Sequence, residues 1–162
     1  MRPGDARGLI MDGNEAAYCG LYCGLCATRR RIPAQAAALR AAVVKEGYDF
    51  FSADIPALKE IYAAFRKGLD WFAAGACPGC RADGGYPACP VRLCVRERGL
   101  DGCADCDGWP CDKAAFLLQS YVNLPGDVAR RRKIGAEKWA AEQEERARAG
   151  FCYADIRCPR DE

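Results

Sequence analysis

Residues 77–111 read CPGCRADGGYPACPVRLCVRERGLDGCADCDGWPC, and the reading of the whole chain turns on them. Seven of the twelve cysteines fall in this stretch, among glycines and prolines and without a long apolar segment. Two Cys-x2-Cys turns, Cys77-Pro-Gly-Cys80 and Cys103-Ala-Asp-Cys106, stand 22 residues apart. Cysteines two residues apart rarely bridge each other in structural disulfides, but they suit one metal ion. Gly79 permits the tight backbone that aims both sulfurs of the first turn at a single centre. The stretch is therefore predicted to be a metal-knuckle region of turns and short hairpins.

Outward from it lie Cys19-x3-Cys23-x2-Cys26 on one side and Cys152 and Cys158 on the other. With Cys77, Cys80, Cys89, Cys94, Cys103, Cys106 and Cys111, these make twelve candidate metal ligands. The chain has no histidine, which removes mixed Cys/His zinc sites, Ser-His-Asp triads and Cys-His nucleophile pairs. An all-thiolate centre remains: structural zinc held by four cysteines as the expected cofactor, a [4Fe–4S] cluster as the alternative. Six disulfides would need an exported protein, and residues 1–17 show no apolar core of a secretory signal. The first group has the spacing of radical-SAM cluster motifs, but no βα alternation follows it. A redox-active Cys-x2-Cys would leave the neighbouring cysteines without a role. Two groupings stay open. Local grouping puts Cys77, Cys80, Cys89 and Cys94 together, with Cys152 and Cys158 completing the other groups. A cross-braced set joins Cys77 and Cys80 to Cys103 and Cys106, and places Cys111 with the first group.

Six Val, six Ile, eleven Leu and six Phe make only 18% of the 162 residues, while Ala contributes 29. Such an aliphatic content is thin for a packed core, so metal sites are expected to help hold the chain. The length fits one domain and is too short for an eight-fold α/β barrel of about 250 residues. There is no apolar run of about 18 residues, hence no membrane-spanning helix. The formal charge of +2 falls to about −4 if three four-thiolate sites each hold a doubly positive core. The basic pI is thus no argument for nucleic acid. Arg29, Arg30, Arg31, Arg81, Arg92, Arg96, Arg98 and Arg157, all near cysteines, read as counter-charges to thiolates.

The chain outside the cysteine groups reads as helix. A polar lead covers residues 1–17, and a single metal-binding domain covers residues 18–162. Helices are predicted at 34–46, ending at Gly47, and from Pro56 to about residue 74 with Asp54 as N-cap. Leu58, Ile61, Phe65, Leu69 and Phe72 form a stripe on the second, read as core. Asp112 is read as the cap of a helix to residue 123, with Phe116, Leu117 and Val122 inward, ended by Pro125 and Gly126. A last helix spans about 127–148, with its basic run at 130–133 read as a solvated face. Asp105, Asp107 and Asp112 read as turn and capping residues, so no catalytic residue is assigned.

The motifs Cys19-Gly-Leu-Tyr-Cys-Gly-Leu-Cys26, Cys-Pro-Gly-Cys-Arg at 77–81, Cys-Pro-Val-Arg-Leu-Cys at 89–94 and Gly-Leu-Asp-Gly-Cys-Ala-Asp-Cys-Asp-Gly-Trp-Pro-Cys at 99–111 resemble one family. It is the bacterial and archaeal domain-of-unknown-function family 3795. The order and spacing of ten cysteines match, over about residues 18–123. The resemblance implies a small cytoplasmic metal-binding protein, described as zinc-binding, without an established activity. Cys152 and Cys158 lie outside it. The expected protein is a mainly α domain around an irregular zinc-knuckle-like region with little β. A protein partner is left open, and a zinc-knuckle adaptor role is the remaining alternative. The sequence does not fix the oligomeric state.

Overall fold

The computed structural model describes residues 15–75 and 77–157. Among them it has seven α-helices and six 3-10 turns; β pairing is confined to two isolated bridges, Ala16 with Tyr22 and Tyr121 with Arg157. The domain is mainly helical, as the sequence predicts. No helix among the described residues is long and apolar enough to cross a membrane.

Helices α1 (Arg31–Lys45), α2 (Tyr48–Phe51) and α3 (Pro56–Ala73) form a hairpin. Gly47 turns the chain with φ +82°, a left-handed conformation that glycine adopts without steric cost. Pro56 opens α3, where its missing N–H costs nothing. Asp54 does not cap α3: it closes a 3-10 turn, Ser52–Asp54, and Ile55 takes the cap position without a side-chain bond. Tyr62 and Leu69 are the buried residues of α3. Tyr62 stacks on Tyr48 and donates to the carboxylate of Asp49. The apolar stripe read as core is mostly exposed: Ile61 is 68% accessible, and Phe65 and Phe72 are open as well. The hairpin packs chiefly on itself, so its outer stripe meets no second layer.

The predicted knuckle region holds a helix in place of hairpins: α4 (Pro90–Glu97), begun by Pro90 and flanked by 3-10 turns at Cys80–Ala82 and Cys103–Asp105. Then come α5 (Ala115–Ser120), α6 (Leu124–Ile134) and α7 (Ala136–Arg148). Asp112 starts a 3-10 turn and makes no cap bond; Val122 faces solvent, while Ala114 and Ser120 are buried. Pro125 sits in the first turn of α6, so it opens a helix and ends none; α5 has already stopped at Ser120. The predicted last helix is two, divided at Gly135 with φ +83°.

The core is three small clusters. Ala17, Cys19, Val91, Val95, Cys103 and Ala114 form the first. Tyr22, Leu25, Trp139 and Tyr153 form the second, and Ala104, Leu124 and Val128 the third. Two cysteines thus replace aliphatic residues in the first cluster, as the low Val/Ile/Leu/Phe content requires. Trp139 is fully buried, edge-on to Tyr22, with the Arg131 guanidinium 5.8 Å from its ring centre. Residues 1–14 of the predicted lead lie outside the described residues. Its last three are packed: Cys23 N–H donates to Glu15 O at 2.7 Å, and Glu15 pairs with Arg29.

Candidate functional site

Ten cysteines line two neighbouring pockets. Cys94, Cys103, Cys106 and Cys111 line one, a cavity of about 430 Å3. Cys19, Cys23, Cys26, Cys77, Cys80 and Cys89 line the other, of about 330 Å3. Neither grouping left open by the sequence has this form: Cys89 and Cys94 separate, against the local grouping, and Cys77 and Cys80 line one pocket while Cys103 and Cys106 line the other, against the cross-braced one. Cys89 precedes the first turn of α4 and Cys94 lies within it. Five residues along a helix give about 7.5 Å of rise and about 140° of rotation. Cys89 and Arg92 therefore face the six-cysteine pocket, while Val91, Cys94, Val95 and Arg98 face the four-cysteine pocket.

Local turns set the sulfurs. At Cys77–Cys80 the backbone passes through Gly79 at φ +96°, and Gly84 N–H donates to Gly79 O at 2.8 Å. A Cβ on Gly84 would lie 2.8 Å from the backbone of Gly79 and 3.0 Å from Cys77 Sγ, so this approach requires glycine. Cys80 N–H points to Cys23 Sγ at 3.4 Å, joining the first cysteine group to the second. In the four-cysteine pocket the turn at Cys103–Asp105 is held by a donation from Arg132 to the carbonyls of Ala104 and Cys106, both at 2.7 Å.

The thiols are mutually repulsive when ionised. Burial pushes the Cys103 thiol up to about 12, and Cys111, Cys106, Cys94 and Cys89 add to the rise. Burial pushes Cys23 up to about 11, with Cys80 and Cys26 contributing, while the Cys80 N–H and Arg29 oppose it. Cys19 is raised further, first by burial, then by Cys80, Cys103 and Cys89. Such thiols become thiolates only beside a strong positive charge.

The arginines read as counter-charges mostly do something else. Arg92 donates to the carbonyls of Gly84, Tyr86 and Pro87, each at 2.8 Å, and fixes the loop between Cys80 and Cys89. Arg81 donates to Ala16 O and Asp101 O, and Arg29 to Glu15 and Cys77 O. Arg81 and Arg96 both lie over the Tyr18 ring. Arg98 does meet a thiol, donating to Cys106 Sγ at 2.9 Å with Cys94 close by. The basic run is engaged as well: Arg130 pairs with Glu142, and buried Arg131 with Asp101. The grip of Arg132 on the knuckle carries no local sequence signal, since its partners are 28 and 26 positions away.

Cys152 lines neither pocket. It is buried and caps the 3-10 turn Tyr153–Asp155, exchanging hydrogen bonds with Asp155. Cys158 lies outside the described residues. The eleven described cysteines are free thiols. Among the described residues no three Cys, Asp or Glu side chains stand as a single metal ion requires.

No curated protein and no solved structure matches the chain. One family profile does, over residues 15–116, which takes in all ten pocket cysteines and ends before α6, α7 and Cys152. The chain belongs to the DUF3795 family of proteins of unknown function.

Proposed function

We propose that the chain is a metal protein with two all-thiolate centres, and that each pocket is built for an iron–sulfur cluster. The observation that carries this is the division of ten free cysteines between two cavities of 430 and 330 Å3. A tetrahedral four-thiolate zinc site has Zn–S bonds of about 2.3 Å, so its sulfurs stand only about 3.8 Å apart with no room between them. Among the described residues no three Cys, Asp or Glu side chains are gathered that closely. A polynuclear core needs its ligands spread around a larger volume, which a thiol-lined cavity supplies. Cys94, Cys103, Cys106 and Cys111 are the ligands proposed for one centre. Four of the six cysteines in the other pocket are proposed for the second. Bound there, a cluster supplies one-electron transfer. The chain's own residues exclude water with Val91, Val95 and Trp109, and Arg98 stabilises thiolate charge at Cys106. Free thiols in this number also favour a reducing compartment such as the cytoplasm. The internal partners of Arg130, Arg131 and Arg132 weigh against a nucleic-acid role.

The test is purification without oxygen, followed by metal and sulfide analysis and a visible spectrum. The expected product is brown, with iron and acid-labile sulfide in equal amounts at about eight of each per chain. A colourless protein holding zinc overturns the cluster reading and leaves all-thiolate sites in place.

A further inference from the structure

Nine of the thirteen large apolar side chains exposed on the described residues lie between Leu39 and Phe72, on the hairpin of α1, α2 and α3. On α3 the exposed face has an order of its own. Ala57, Ile61, Ala64, Gly68 and Trp71 alternate at spacings of four and three, the seam of a helix that packs along a second helix. The seam is centred about 130° round α3 from buried Tyr62 and Leu69, so it is turned from the face the hairpin covers. Trp71 is 70% accessible, and Ile61, Phe65 and Phe72 are open beside it. These four expose on the order of 500 Å2, against about 800 Å2 buried per partner in a standard interface, and exposed Ile55 and the alanines add to it. Gly68 has no use within the chain: a Cβ there would meet nothing within 4 Å, although glycine weakens a helix interior. Along one edge of the seam stand Glu60 and Lys67, both exposed and seven residues apart.

We propose that this face docks a second copy of the chain, α3 against α3 in antiparallel order about a two-fold axis. The axis passes at the level of residues 62 and 63. In that heptad register Ile61 meets Ala64 of the second copy, and Ala57 meets Gly68 of the second copy. The one large residue of the central seam thus falls on a small one, and the remaining small pair lets the helices approach closely. Trp71, near the end of α3, comes beside Ile55 of the second copy, which precedes its α3. Glu60 comes beside Lys67 of the second copy, and the symmetry makes this pair twice. A parallel pairing would set Glu60 level with Glu60 and Lys67 level with Lys67, and would part Trp71 from Ile55. The opposite charges on one edge therefore select both the occupant and its direction. The proposal does not rest on the metal reading above.

The test is analytical ultracentrifugation of the full chain over a dilution series. The protein is purified without oxygen and kept reduced, so that no thiol joins two chains. The expected species has twice the chain mass of 17.7 kDa and gives way to the monomer on dilution. Gly68→Leu fills the notch where the chain itself has open space. It is expected to keep the far-ultraviolet helix signal and to weaken the dimer about a hundredfold, since the overpacking occurs twice. Glu60→Lys is expected to weaken the dimer about tenfold, and adding Lys67→Glu to restore it, because the two charges exchange places across the axis. Should Gly68→Leu lose helix signal, the charge exchange decides. A monomer at every concentration overturns the proposal. So does a dimer indifferent to Gly68→Leu and to Glu60→Lys, which must form through another surface. A monomer that binds phosphatidylcholine vesicles, and loses them with Ile61→Asp, assigns the face to lipid and overturns it as well.

Discussion

At Arg92 a charged side chain only 2% exposed holds no thiolate and instead donates to backbone carbonyls of Cys80, Gly84, Tyr86 and Pro87. A planar guanidinium reaches several acceptors at fixed angles, whereas an ammonium acts as a point charge. Asp83, two-thirds exposed, adds only a 3.6 Å contact to the Arg92 Nε. Arg92→Lys keeps the charge and loses the fork. It is expected to destabilise the protein by about 2–4 kcal/mol, since bonds from charged donors contribute about 1.5–3 kcal/mol each and strand their partners when lost. Urea unfolding of the metal-loaded protein measures it. Arg92→Lys as stable as the wild type would show that charge alone matters there, as the sequence suggested. Nothing near Arg92 in the sequence separates the two roles. The carbonyls it binds become a target only once Gly79 and Gly84 have folded the loop back.

The elements were legible to unequal degrees. The hairpin helices follow from the apolar spacing, the Gly47 turn and Pro56 in a first turn. Their apolar stripe misled because periodicity shows that a face is apolar, not that something covers it. In the knuckle region the glycines and prolines hid α4, whose eight residues are too few for periodicity to register. The division of the cysteines between the pockets depended on that helix, since its rise and rotation send Cys89 and Cys94 to different pockets. The stripe itself is testable. Ile61→Gln on α3 is expected to change the stability of the separated chain by no more than about 0.5 kcal/mol, as at ordinary surface positions. Leu69→Ala, on the buried side, is expected to cost about 2–4 kcal/mol. Thermal denaturation of both variants in dilute solution decides: comparable losses would mean that Ile61 is covered within its own chain.

Across the whole molecule, apolar burial is thin, and under the proposed function metal binding carries a large share of the work of folding. Three clusters of six, four and three buried residues serve the described chain, and two cysteines stand in the largest. Domains of ordinary composition retain about 5–15 kcal/mol of net stability. Here the aliphatic part of that balance is small, and ten thiols line pockets where a larger protein would place Leu and Ile. Metal binding by four thiolates contributes on the order of 10 kcal/mol of apparent free energy per site at neutral pH, judged by structural zinc. Losing two such sites exceeds the whole expected stability. The metal-free chain is then left with buried thiols and no positive charge to offset them. It is expected to keep part of its far-ultraviolet helix signal, because α1 and α3 pack on each other. It is expected to lose the near-ultraviolet signal of Trp139 and Trp109, which depend on the clusters around the pockets. Removing metal under reducing conditions with a strong chelator, then heating, gives the comparison. A metal-free chain that still melts cooperatively, within a few degrees of the loaded protein, would mean that the pockets are bound to the fold's function and not to its stability.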